Sequence, residues 1–237
     1  MLARLFVFVG SLIVLALMVA LVGPYFIDWT SYRSDFEREA SAVLGREVKV
    51  NGTATARILP FPSVTFSDVT VRDASGGFAM TADQFSMDAE LAPFLSGNVL
   101  IFDMRIVRPK ANINIDGDGR VDWVLRPQTP FNPRHITLEH VAISDGEVSI
   151  RAANGIRREI TEVNTIVSAR SLAGPWRADG SLRFNGHKAT LSGSSGVADA
   201  EGLRLKVQVE PADLPVIADL EGLAASNGGV LSYKGQF

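Results

Sequence analysis

VTFSDVTVRD at residues 64–73 and FAMTADQFSMDAEL at residues 78–91 are the stretches on which the fold turns. Val64 and Phe66 alternate with polar neighbours, and so do Val69 and Val71, yet the phase slips by one residue between Phe66 and Val69. In the second stretch Phe78, Met80 and Ala82 give way to Phe85, Met87, Ala89 and Leu91 across a similar slip near Asp83-Gln84. A period of two marks a strand with one apolar face. A one-residue slip would turn the apolar set outward unless an extra residue is accommodated, so a β-bulge is predicted near Ser67-Asp68.

The same alternation recurs at Val48 and Val50, Leu100 to Ile106, Ala111 to Ile115, Ile136 to Leu138 and Val141 to Ile143. It continues at Val148 to Ala152, Ala189 to Leu191 and Leu203 to Val209. Asn51-Gly52, Asp116-Gly117, Asp145-Gly146, Asn154-Gly155 and Asn185-Gly186 suit tight hairpin turns. A mainly β chain with consecutive antiparallel strands is therefore expected, because a parallel sheet would need crossover helices that this sequence does not supply. Short helices are expected near Leu91–Leu95 and Ala212–Leu223. Arg126–Pro133, with Pro127, Pro130 and Pro133, reads as an extended linker. Residues 64–73 also parallel ITLEHVAISD at 136–145, an offset of 72 that suggests a sheet growing by repetition.

Upstream the period changes to that of a helix. Tyr32, Phe36, Ala40, Val43 and Leu44 share a face, Thr30 or Ser31 can cap the start, and Gly45 can end it. Arg33, Asp35, Glu37 and Arg38 lie on the other side, where Glu37 and Glu39 read as solvated rather than catalytic. Before this helix, Leu5 to Ile27 form 23 residues without a charge. As a helix they extend about 34 Å, enough for a hydrocarbon core of about 30 Å. A cleavable signal peptide is the competing reading, but its apolar core is normally about 7–15 residues long and ends in a small-residue cleavage site. An uncleaved anchor containing Leu5, Leu15 and Ile27 is expected, with Tyr25, Trp29 and Tyr32 at the membrane interface. The four-residue leading tail favours a cytoplasmic N-terminus with the bulk of the chain on the far side.

Composition narrows the function classes. An apolar fraction of 46% argues against wholesale disorder, and a net charge of −3 gives no footprint for nucleic acid. The absence of cysteine excludes disulfides, thiolate nucleophiles and Cys-based zinc sites. His135 and His140 would face opposite sides of one strand. Asp116-Gly-Asp118-Gly lacks the glutamate that closes a calcium loop, and Gly193-Ser-Ser-Gly196 lacks the nucleophile-elbow spacing. Asn51-Gly-Thr53 matches a glycosylation acceptor but is explained by its turn. No enzyme and no cofactor are expected.

The run YRSDFEREASAVLGREVKVNG followed by ILPFPSVTFSDVTVRD resembles the N-terminal region of the AsmA family. The resemblance rests on Leu44-Gly45-Arg46-Glu47-Val48, the proline-flanked Leu59–Pro62, the strand pair Val64–Val71, and the run Leu91–Gly97. Val107-Arg-Pro109, Ile113-Asn-Ile115 and Asp118–Trp123 extend it to about residue 125. It implies a single-pass inner-membrane protein of a two-membrane bacterium, with a periplasmic β-groove of the bridge-like lipid-transfer kind that supports outer-membrane assembly. Membrane phospholipids would be its partners, with other envelope proteins in addition; the oligomeric state is left open. The expected division is a tail and anchor (1–27), a juxtamembrane amphipathic helix (28–45), an AsmA-like β region (46–125), the linker (126–133) and a continuing, truncated β region (134–237). The fold class is thus a curled antiparallel β-groove behind a membrane helix, with a closed β-sandwich as the alternative. In the groove, Phe66, Val71, Phe85, Met87, Ile113 and Ile115 would line the lipid path. In the alternative, the chain is an anchored interaction scaffold without lipid. If the anchor is uncleaved, membranes washed with alkaline carbonate retain the protein with its N-terminus intact; a carbonate-extractable form starting near Gly23 or Pro24 is the contrary result.

Overall fold

A computed structural model describes residues 2–73, 77–122, 132–199, 201–227 and 230–236. Helix α1 (Leu2–Val22) leads through 3₁₀ turns at Gly23–Phe26 and Trp29–Tyr32 into α2 (Arg33–Leu44). The first strands are β1 (Val48–Val50), β2 (Ala54–Arg57), β3 (Ser63–Arg72) and β4 (Phe78–Ala89), followed by the single-turn helix α3 (Leu91–Phe94). Next come β5 (Val99–Val107), β6 (Lys110–Asn114), β7 (Ile136–Arg151), β8 (Arg157–Ala169) and β9 (Trp176–Phe184). The chain continues through β10 (His187–Ser195), β11 (Leu203–Pro211), β12 (Ala218–Asn227) and β13 (Val230–Gln236). All belong to one sheet, in the order β1-β3-β4-β5-β7-β8-β9-β10-β11-β12-β13, with β2 beside β3 and β6 between β4 and β7.

The sheet is mixed, which corrects the all-antiparallel expectation. β5 and β6 are two halves of one broken strand: both pair antiparallel with β4 on one side and parallel with β7 on the other. Among the described residues no α-helix makes the parallel crossover. The chain between Asn114 and Ile136 returns to the start of β7, and the expected linker lies within it; residues 126–131 of that linker fall outside the described set.

Other turn assignments change as well. Asn51-Gly52 is no hairpin, because β1 and β2 both pair with β3. The glycine is required there since a Cβ would collide with Ser67. Asp145-Gly146 lies inside the 16-residue β7 as a bulge, not at a turn. Asn185-Gly186, with φ of 51° and 85°, is the left-handed pair a two-residue hairpin needs. The expected Leu91–Leu95 helix is present as α3. Residues 212–223 are not helical: Pro215 interrupts them, and Ala218 onward pairs with β11. At α2 neither Thr30 nor Ser31 is the cap: Tyr32 holds that position with no side-chain capping bond, Asp28 caps the preceding 3₁₀ turn by accepting from Thr30 N–H at 3.1 Å, and Gly45 (φ 66°) ends the helix.

At Asp68 the predicted extra residue is absent, since Ser67↔Gln84 and Val69↔Ala82 keep one register and the β3–β4 register shift lies at Val71/Arg72; the phase slip comes instead with a left-handed backbone at Asp68, part of a larger feature. Asp68, Arg108, Asp145 and Glu162 all have φ between 46° and 54°. Register places them in a line: Asp68 opposite Asp83, Asp83 opposite Arg108, and Arg108 opposite Asp145. The Asp145 N–H then donates to Asn164 Oδ1 on β8 at 3.0 Å. Left-handed residues on β3, at the β5–β6 break, on β7 and on β8, all near one level, crease the sheet while keeping each strand's apolar set on one face. Phe66 and Val69 accordingly join one cluster, as do Met80 and Phe85.

Helix α2 lies over that cluster and also closes the sheet's first edge. Val48 N–H donates to Ser41 Oγ at 2.9 Å, and Val50 N–H donates to Glu37 Oε1 at 2.8 Å. Ser41 in turn donates to the Glu37 carbonyl at 2.5 Å. These amides alternate with the backbone groups of Glu47 and Asn51 that bond to β3. Glu37 is thus a structural acceptor rather than a freely solvated carboxylate. Glu37→Ala should lower unfolding stability by about 1–3 kcal/mol, the range for a hydrogen bond to a charged group, whereas Glu37→Gln retains an acceptor for Val50 and should recover most of it in denaturant titration.

Candidate functional site

Successive strand partners trace the two faces. Phe66, Phe85, Ile106, Ile143, Thr165, Gly180, Leu191 and Val209 are consecutive Cα partners from β3 to β11. A second row on the same face runs Val64, Met87, Met104, Val141, Val167, Ala178, Gly193, Val207 and Leu220. The residues between these rows face the other way: Thr65, Ser86, Arg105, Ala142, Ile166, Asp179, Ser192, Gln208 and Asp219. Apart from Ala142 and Ile166 that row is polar. Thr165 is the one polar side chain in the two facing rows, so one side of the sheet is predominantly apolar across nine strands.

Cover for this face is unequal. Under α2, Phe36 meets Phe66 with ring centroids 5.3 Å apart, and Phe66 stacks on Phe85 at 6.2 Å. Further along, Leu172 and Trp176 pack with Leu138, Val141 and Ala169. Beyond β9, Leu191, Val207 and Val209 stay half-buried. Among the described residues no large side chain falls below 2% exposure, as the centre of a two-layer core would.

The sheet also curls. A hairpin held by the Ile115↔Val121 bridge brings Arg120 into register with Val230 of β13, while Arg46, just before β1, donates to the Asp122 carbonyl. Both ends of the strand order thus approach one hairpin. At Gly180 a Cβ would strike the Asn164 carbonyl on β8, so the close approach there admits only glycine.

The predicted lining residues separate into two groups. Val71, only 3% exposed, is core beneath α2 with Val48 and Val50 and does not line an open surface. Phe66 and Phe85 are on the apolar face but partly covered by α2. Met87 packs against the Ile101, Leu138 and Val141 cluster, and Ile113 and Ile115 remain half-buried on the continuation of the same face. Sequence reading named no strand at 157–169 or 176–184, because Ala178 and Gly180 occupy apolar-face positions and the bulge near Glu162 breaks the alternation. Leu5 and Leu15 on α1, at 59% and 58% exposure, and Ile27 are exposed, and α1 is long and apolar enough to cross a membrane. Trp29 and Tyr32 lie 6.2 Å apart, and Trp29 Nε1–H donates to the Pro24 carbonyl at 2.9 Å. The Tyr25 side chain is outside the described set.

Charge is confined to the polar side and the bulges. Arg108 contacts Asp83 at 2.6 Å, and Asp103 bridges His140 Nδ1 at 2.9 Å and Arg105 at 2.6 Å. His135 lies in a separate 3₁₀ turn at Pro133–His135. Among the described residues no three His, Asp or Glu side chains converge as metal ligands. Glu162 receives a two-pronged contact from Arg183, Nε to Oε1 at 2.7 Å and Nη2 to Oε2 at 3.2 Å. That hydrogen bonding holds the Glu162 carboxyl below its ordinary value of 4.5. Any stability from the pair is full above 4.5 and is lost as pH falls through the lowered value. In an NMR titration Glu162 should titrate below an ordinary glutamate, and Arg183→Gln should move its midpoint upward.

The family model described as AsmA family matches residues 1–150. No curated protein and no solved structure matches the chain.

Proposed function

This chain belongs to the AsmA family, a group of membrane-associated envelope proteins, and from that premise we propose that it is anchored in the inner membrane and handles phospholipid on its periplasmic sheet. Acyl chains would move along the apolar face between membranes, in support of outer-membrane assembly. The observation that carries this reading is the predominantly apolar face that runs from β3 to β12, whose side chains Leu191, Val207 and Val209 beyond β9 are only half-buried. Each buried CH₂ is worth about 0.8 kcal/mol, so a lipid leaving the bilayer needs such a surface along its route. Headgroups would stay in water outside the apolar face. No bond is made or broken in this reading, and it needs no cofactor.

A second reading, an anchored interaction scaffold with a closed interior and no lipid, is favoured by the Arg120↔Val230 bridge. A photo-crosslinking residue in the full-length protein in native membranes separates the two. Placed at Leu191 it should capture phospholipid several-fold more than at Ser192, the neighbour on the opposite face. Val207→Asp should then reduce co-purifying lipid with little change in melting, since its carboxylate faces the lipid path. Crosslinks to protein alone at Leu191, with Val207→Asp collapsing the melting temperature, would establish the closed scaffold.

A further inference from the structure

Two connections at one end of the sheet carry exposed apolar side chains and no charge. The β2–β3 connection, ILPFP at 58–62, exposes Ile58 and Phe61; α3 and the residues after it, LAPFLSGN at 91–98, expose Leu91, Phe94 and Leu95. Leu95 is 90% exposed. The two are neighbours: Ala89 N–H donates to the Pro62 carbonyl at 2.9 Å, and Phe61 packs edge-on to Phe102 of β5 at 5.2 Å.

The direction of α2 tells which way this end points. At its start, Arg33 donates to the Gly52 carbonyl at 3.2 Å, and Thr30 Oγ1 lies 3.4 Å from the Ala54 backbone, level with Phe66. Its far end feeds β1, where Val48 is level with Val71. The helix therefore runs away from the β2–β3 connection, and the chain before Thr30, with α1, leaves on that connection's side. From Ala54 to Ile58 is about 13 Å of strand at roughly 3.3 Å per residue.

We infer that these two connections form a second membrane contact, inserting Phe61, Phe94 and Leu95 into the interfacial layer of the bilayer that holds α1. Uncharged aromatic and leucine side chains suit that layer. With the anchor they give two points of attachment, so the first strands stand on the membrane and the apolar face opens at its surface. The inference rests on the anchored reading but not on lipid transfer.

The cysteine-free sequence permits a direct test. Single Phe94→Cys and Leu95→Cys variants of the full-length chain, labelled with an environment-sensitive fluorophore, are reconstituted in vesicles of phosphatidylethanolamine and phosphatidylglycerol. Leu15→Cys reports the anchor. Phe78→Cys, 57% exposed at the other end of β4, is an equally apolar control. Nitroxide-bearing lipid should quench the Phe94 and Leu95 probes several-fold more than the Phe78 probe, with blue-shifted emission. Quenching at Leu15 but not at Phe94 or Leu95, with those two open to aqueous iodide, overturns the contact while leaving the anchor intact. Shielding from both quenchers means that protein covers these residues, and equal quenching at Phe78 means that the domain lies flat; either result overturns the inference. Failure at Leu15 itself strikes the anchored reading instead.

Discussion

A sheet with one apolar face has to hide that face, and among the described residues every strand of this protein belongs to the same sheet. Everything else follows from how the burden is divided. Helix α2 covers the first strands, Leu172 and Trp176 cover the middle, and curvature brings the remaining side chains toward one another. Gly180 permits a close approach of β9 to the β8 backbone that a Cβ would block. What remains half-buried is the surface to which a hydrocarbon chain would be complementary.

The crease makes the curvature compatible with a consistent face. A strand that bends without a bulge keeps its alternation but strains its pairing; a bulge in one strand alone rotates its side chains out of step with its neighbours. Placing Asp68, Arg108, Asp145 and Glu162 in line lets adjacent strands change phase together. The ion pairs Asp83–Arg108 and Glu162–Arg183 sit at the same level, where left-handed backbone and polar side chains would otherwise interrupt an apolar surface.

Much of this could be read from the residues. The slips around Asp68 and Asp83 gave away both the strands and the preserved face, and Gly45 and the uncharged run from Leu5 marked the helices. Pairing across the chain could not be read. Alternation says which side a residue faces but not which strand lies beside it, so the parallel neighbours of β7 were hidden, and Asp145-Gly146 looked like a turn. Val71 shows a related limit: its alternation is the same whether the face is open or lies beneath a helix. Strands β8 and β9 escaped because glycine and alanine at inward positions carry little hydropathic signal.

The hydrogen bonds from α2 to β1 carry one more consequence. Ser41 and Glu37 occupy the amides of Val48 and Val50, the groups a strand from another molecule would need in order to add to this edge. Polymerisation through β1 is thereby blocked. An incoming strand would have to displace both side-chain acceptors before it could pair there, so the helix acts as a guard on this stretch of edge.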